Sequence, residues 1–240
     1  AINLGSIPTN STTMRRTNTK PTMTPPALPR KKNQRHTENI SYDMLIQPWK
    51  PLFDSIKGKW SELFFKNTNP IVLELACGKG EYSTSLAKIH HDKNYIGVDI
   101  KGERIRFGIQ EVLKDRLNNV GFLRTKIQNL WNFFVTDEVD EVWIVHPDPR
   151  PKWSDERRRL TNKRFLAIYQ QILVPNWILR LKTDDANLFA YSLTSLKADG
   201  RELMDSTSDL YNSYLLTEHH DLLGGFGDLT RKGNGQPFLF

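Results

Sequence analysis

The chain has 240 residues, 38% of them hydrophobic, and a formal net charge of +7. That length and apolar content suit one α/β domain with an appendage, and no run approaches the ~18 apolar residues of a membrane helix, so no membrane contact is expected. A lone Cys77 excludes an intramolecular disulfide framework and points to a reducing, cytoplasmic setting.

Residues 1–37 contain Arg15, Arg16, Lys20, Arg30, Lys31, Lys32 and Arg35 and no acid. Setting those seven aside leaves 27 basic residues against 27 acidic ones, so any nucleic-acid surface on the remainder must be a local patch. Rich in Thr, Asn, Ser and Pro and without apolar periodicity, 1–37 is expected to be a disordered basic tail ahead of a single domain over 38–240. It is either an extension without function or an arm that scans polyanions. Pro21, Pro25, Pro26 and Pro29 disfavour the amphipathic helix of a transit peptide.

Residues 45–65, with Leu45, Ile46, Trp49, Leu52, Phe53, Ile56, Trp60, Leu63, Phe64 and Phe65, suggest a lead-in that packs on a sheet edge. After Pro70, short apolar runs predict strands over 71–76, 95–100, 120–124, 141–146 and 177–182. Between them Ile105, Ile109, Val112 and Leu113 fall at helical spacing, as do Phe165, Leu166, Tyr169, Ile172 and Leu173. Such alternation predicts a mostly parallel sheet covered by helices on both faces. His90/His91 and His219/His220 are adjacent pairs, a poor spacing for metal ligands, and no metal is expected.

Ligands of such sheets sit beyond the carboxyl ends of the strands. Three predicted strands lead into acids there: Asp99, Asp148 and Asp184. The first strand passes through Glu74 into Ala76-Cys77-Gly78-Lys79-Gly80-Glu81. Gly78 and Gly80 let the backbone turn tightly against a ligand. A dinucleotide fingerprint needs a third glycine at position 83, which is Ser83. The acid at 74 also argues against an anion and for a cationic ligand bearing an ammonium and a sulfonium. Asp99 stands where a carboxylate accepts ribose hydroxyls, a position common to nicotinamide and S-adenosyl-L-methionine enzymes. In the fourth strand's exit, Pro147 and Pro149 flank Asp148. Proline stiffens its own φ and extends the residue before it, so this carboxylate is expected to have little freedom to pair locally.

The runs IVLELACGKGEYSTSLAKIHHDKNYIGVDIKGER (71–104), EVWIVHPDPRPKWSDERRRLTNKRFL (141–166) and LRLKTDD (179–185) resemble the bacterial tRNA (guanine-N7-)-methyltransferases. The match covers residues 45–215. It implies a class I methyltransferase (Rossmann-like) fold, S-adenosyl-L-methionine as cofactor and tRNA as partner. By matched position, Glu74 and Asp99 would bind the cofactor, Asp148 would lie between cofactor and base, and Lys152 and Asp184 would contact substrate. Guanine N7 is an acceptor without a proton, so its methylation needs placement and negative potential rather than a base.

Arg150, Lys152, Arg157, Arg158, Arg159, Lys163 and Arg164 make a local basic excess beside Asp148, a phosphate track in which 157, 158 and 159 would touch RNA. Trp153 either stacks on a base or packs on the protein. Several positions depart from the family pattern. Ala76 replaces a glycine, a mild change if its φ is negative. His146 replaces an aromatic. The family's closing Thr-x-aromatic-Glu is absent from LLGGFGDLTRKGNGQPFLF, in which 238–240 can still form a last strand. Three readings stand: an active guanine-N7 tRNA methyltransferase, working as monomer or homodimer; a methyltransferase for another nucleobase or a small molecule; and a non-catalytic RNA-binding relative.

Overall fold

The structure is a computed structural model that describes residues 42–215 and the backbone of 238 and 239. The expected tail over 1–37, the His219/His220 pair and the glycine-rich stretch before 238 lie outside the described residues.

Seven strands form one sheet: β1 (Leu45–Ile46), β2 (Ile71–Leu75), β3 (Asn94–Asp99), β4 (Val120–Arg124), β5 (Val139–Val145), β6 (Leu173–Thr183) and β7 (Phe238–Leu239). Their order is β1-β4-β3-β2-β5-β6-β7; all pairings are parallel except β6 with β7. The lead-in therefore does more than pack on the edge, since Leu45 and Ile46 are hydrogen-bonded into it beside Phe122 and Leu123. The chain winds outward one way through β3 and β4 and the other way through β5 and β6. The order reverses between β2 and β5, which is where such sheets bind ligands.

Among the described residues the α-helices are α1 (Glu81–Ile89), α2 (Gly102–Asp115), α3 (Lys163–Tyr169) and α4 (Ala186–Ala198). Along β2 the side chains alternate between two cores. Val72 joins Tyr82, Leu86, Ile105, Ile109, Val112 and Phe122 under α1 and α2. Ile71, Leu73 and Leu75 join Ile56, Trp60, Phe134, Leu166 and Tyr169 on the opposite face. Burial on both faces explains why β2 reads as a continuous apolar run, and makes Glu74 its one exception. Trp60 anchors the second core: its indole N–H donates to the Phe133 carbonyl at 2.8 Å and its ring stacks on Phe134 at 5.3 Å.

Two local expectations are corrected. The helical spacing at 165–173 breaks after Tyr169, because Leu173 already pairs with Val139 in β6. Pro175 and the left-handed Asn176 then produce an irregular register before Ile178 rejoins opposite Glu141. In α2, Ile105, Ile109 and Val112 are buried as expected, but Leu113 is half exposed.

Candidate active site

At the reversal point, residues 76–80 turn from β2 into α1 with Gly78 at φ 59° and Gly80 at φ 72°. Ala76 also sits at φ 58°, so the condition under which its replacement of a glycine would be mild is not met, and its side chain faces solvent. An alanine there is strained by roughly 1–2 kcal/mol, of which a glycine's extra unfolded-state freedom would offset about 0.4–1. Ala76→Gly should therefore raise stability by ~0.5–1 kcal/mol, visible as a higher urea midpoint at unchanged slope. An unchanged or lower midpoint would show the strain to be relieved elsewhere.

Glu74 lies beneath that loop with little exposure. Its Oε2 accepts the Ser83 amide at 2.8 Å and the Ser83 hydroxyl at 2.6 Å. The N-cap of α1 is Gly80, which has no side chain to cap with, so the strand's carboxylate takes an amide of the helix's first turn instead. A carboxyl group already takes the helix end at which a dinucleotide's phosphate would bind. Burial raises the Glu74 carboxyl from its ordinary 4.5 to about 7, against the lowering effect of Ser83 and with help from the charges of Glu81 and Asp99.

A raised carboxyl pKa stabilises the fold fully below about pH 4.5, and that contribution is lost as pH rises through about 7. Urea titrations from pH 4.5 to 7.5 should show this decline, and Glu74→Gln should reduce it. An identical pH profile in the variant would remove Glu74 as its source.

Asp99 ends β3 with both oxygens engaged: Oδ2 accepts the Gly78 amide at 2.9 Å and Oδ1 the Lys101 amide at 2.7 Å. It thus ties the glycine loop to the neighbouring strand. Below the loop, the Phe122 ring meets three glycines. A Cβ added at Gly80, Gly97 or Gly108 would lie 2.4, 2.8 or 2.5 Å from that ring, and at Gly108 it would also lie 2.5 Å from the Lys79 carbonyl oxygen. Gly108 is what lets α2 approach the loop so closely.

On the other side of the reversal, β5 exits through His146 at φ 43° into Pro147-Asp148-Pro149 and Arg150 at φ 51°. Asp148 does pair locally. Its Oδ1 accepts the Arg150 amide at 3.2 Å and its Oδ2 lies 3.3 Å from the Arg150 guanidinium, with the carboxylate more than half exposed. Pro149 has no N–H, so the next backbone donor after Asp148 is the Arg150 amide, which the ψ of Pro149 orients toward the carboxylate. His146 Nδ1 lies 3.4 Å from the exposed Asp184 carboxylate at the end of β6, and its amide donates to the Lys182 carbonyl.

Beneath these groups Lys182 is almost fully buried, its ammonium donating to the Tyr82 hydroxyl at 2.8 Å. Burial lowers that ammonium to about 8. His146 is lowered too, by burial and then by Lys182, with Asp184 opposing.

The basic loop divides. Lys152, Arg157 and Arg158 are exposed, Arg158 pairing with Asp155 at 3.1 Å. Arg159 turns inward and spends two donors on the Arg150 carbonyl. Trp153 is 87% exposed, which rules out packing on the described residues. A cavity of ≈ 930 Å³ beside the middle of β6, bordered by Trp177, Leu196 and Met204, is lined by none of the acids above.

Residues 68–222 match a family described as putative methyltransferase. A tRNA (guanine-N(7)-)-methyltransferase of Christiangramia forsetii is 41% identical over 213 residues, spanning 87% of this chain and 95% of that protein. The chain belongs to the tRNA (guanine-N7-)-methyltransferase family. A relative of the same name from Cytophaga hutchinsonii is 42% identical over 80% of this chain and 88% of its own length. Among solved structures, the 16S rRNA methyltransferase KamB superposes with TM-score 0.52 over 80% of this chain and 93% of that one, at 12% identity. An antibiotic-related methyltransferase gives 0.51 over 76% and 90%, at 18% identity. These likenesses concern the fold, and the expected methyltransferase architecture is borne out.

In this family member the sheet brings the expected acids into one row. Asp99, Glu74, Asp148 and Asp184 stand at or near the carboxyl ends of β3, β2, β5 and β6, which are consecutive neighbours. Sequence reading missed Lys182, Tyr82 and Gly108. A lysine within the strand run Trp177-Ile178-Leu179-Arg180-Leu181-Lys182 was the available signal for the first; for Gly108 there was none, since its close neighbour is a backbone atom of a distant loop.

Proposed function

We propose that this chain transfers a methyl group from S-adenosyl-L-methionine to N7 of a guanine in tRNA. The observation that carries it is the row of four acids across the reversal point, suited to a cationic cofactor on one side and a guanine on the other. The residues fit the cofactor: Glu74 fills the helix end against phosphate, and Asp99 and the open turns at Gly78 and Gly80 border the same loop. Glu74, Gly78, Gly80, Asp99 and Asp148 would hold it. When bound, S-adenosyl-L-methionine supplies a methyl group on a sulfonium.

The protein's own task is placement. Guanine N7 offers a lone pair with no proton to remove, and the methylated ring is cationic. Asp148 and Asp184 accept from guanine N1–H and N2–H₂, donors that adenine lacks, and their charge offsets that of the product. The buried floor of Lys182, Tyr82 and Glu74 limits water from below, while the Asp148 and Asp184 carboxylates stand exposed toward the incoming base. Lys152, Arg157 and Arg158 face solvent beside Asp148 and would meet tRNA phosphates, with Trp153 stacking on a base. The activity is cytoplasmic and carried by a monomer or homodimer; among the described residues no helix is long and apolar enough to cross a membrane.

The test is incubation of the full chain with unmodified tRNA and labelled S-adenosyl-L-methionine, followed by nucleoside analysis. Label in 7-methylguanosine supports the proposal. Label in another nucleoside would reassign the target, and cofactor binding without transfer would leave an RNA-binding relative.

A further inference from the structure

The loop that carries Asp148 is fastened from behind. Arg159 Nε and Nη2 donate to the Arg150 carbonyl at 3.2 and 3.1 Å, and the guanidinium lies over the Tyr191 ring, 4.3 Å from its centroid. The Tyr191 hydroxyl donates to Glu156 at 3.0 Å and accepts from Asn162 at 2.7 Å. Asn162 in turn caps α3 by accepting the Arg164 amide. Two further contacts bind the same loop to α4: the Thr161 and Ser192 hydroxyls at 2.6 Å, and Ser195 donating to the Thr161 carbonyl at 2.7 Å. That helix starts directly after Asp184, with Asp185 as its N-cap.

Arg150 stands in a left-handed conformation that non-glycine residues rarely adopt, and such residues persist where the surroundings over-determine them. Its amide and guanidinium are the two groups that hold the Asp148 carboxylate. The fork of Arg159 on the Arg150 carbonyl is thus one hydrogen-bonded step from the acid.

We propose that Arg159 and Tyr191 are positioning residues that lock Arg150 and so aim the Asp148 carboxylate, with α4 as the shared anchor of Asp148 and Asp184. This rests on the role assigned above to Asp148, and it removes Arg159 from the phosphate track in which its position in the basic run would place it. Arginine is required for the geometry: a lysine keeps the charge but cannot give two parallel donors to one oxygen while lying flat on a ring.

The experiment compares full-length Arg159→Ala, Arg159→Lys, Tyr191→Phe and Arg157→Ala by amide hydrogen exchange at Arg150, by kcat and KM for tRNA, and by the salt dependence of tRNA binding. Both Arg159 variants should accelerate exchange at Arg150 at least ~10-fold and lower kcat by about 10- to 100-fold, the scale of a small misplacement of a reacting group. Their salt slope should stay at the wild-type value. Tyr191→Phe keeps the ring but loses Glu156 and Asn162, and should fall between wild type and Arg159→Ala in exchange. Arg157→Ala should move KM and reduce the salt slope by about one.

A reduced salt slope in Arg159→Ala with full recovery in Arg159→Lys would make Arg159 a phosphate contact and overturn the proposal. Unchanged exchange at Arg150 would overturn it whether or not the wild type methylates tRNA, whereas absence of 7-methylguanosine from the wild-type reaction overturns only the assigned activity. If Arg159→Ala does not fold, Arg159→Lys and Tyr191→Phe carry the same readouts.

Discussion

Asp148→Ala is expected to lower kcat for tRNA methylation by at least about 10²–10³-fold, the usual cost of losing one group that stabilises transition-state charge. The fold should survive. Among the described residues the carboxylate's partner is Arg150, and both side chains are more than a third exposed, so the pair contributes at most ~1 kcal/mol. Thermal unfolding should therefore remain cooperative and near the wild-type midpoint, and the phosphate contacts should keep tRNA binding salt-dependent as before. Asp148→Asn separates charge from shape. The amide presents a donor toward guanine's own donors and carries no charge for the cationic product, so it should fall almost as far as alanine. Single-turnover transfer to tRNA is the decisive measurement, and near-wild-type rates in either variant would remove Asp148 from the chemistry.

The second large effect is expected at a residue without a side chain. Gly108→Ala puts a methyl 2.5 Å from both the Lys79 carbonyl and the Phe122 ring. In an open helix the change would stabilise by roughly 0.5–1 kcal/mol. Here the Lys79 oxygen is backbone and cannot rotate away, so either α2 or the glycine loop must shift. Overpacking of this kind costs typically ~1–3 kcal/mol, enough to reverse the sign of the helix gain. Because the displaced atoms lie between Gly78 and Gly80, S-adenosyl-L-methionine affinity should drop at least ~10-fold, measured by calorimetry. An intact affinity with a raised melting temperature would mean that α2 moves and the loop does not.

Much of the architecture was legible in the chain. The strands read at 71–76, 95–100, 120–124 and 141–146 fall within two residues of β2 to β5, because strands buried on both faces are continuous apolar runs with little ambiguity. Only the start of the last, read at 177, missed the four residues and bulge that precede it in β6. Glu74, Asp99, Asp148 and Asp184 were legible for a related reason: acids at strand exits stand out against the apolar runs before them. Misreadings arose where backbone conformation or a distant partner decides. Nothing along the chain announces that Ala76 is left-handed. Asp148, with little local freedom expected, nonetheless takes the Arg150 amide, because the ψ of Pro149 orients that N–H and the proline ring fixes only φ.

The three consecutive arginines show the division most clearly. That a basic run follows a proline-flanked acid at a strand exit is written along the chain, and with it the kind of chemistry the site can hold. Nothing in the run distinguishes Arg159 from Arg157. Only the tertiary structure does so, by bringing Tyr191 of α4 against the guanidinium of Arg159. It likewise placed Tyr82 over Lys182, 100 residues away, and Gly108 against Lys79. Periodicity and turn chemistry act over a few residues and are written along the chain. Burial, close approach and the sharing of donors depend on which elements the sheet makes neighbours, and those forces decide which of several similar side chains faces the ligand.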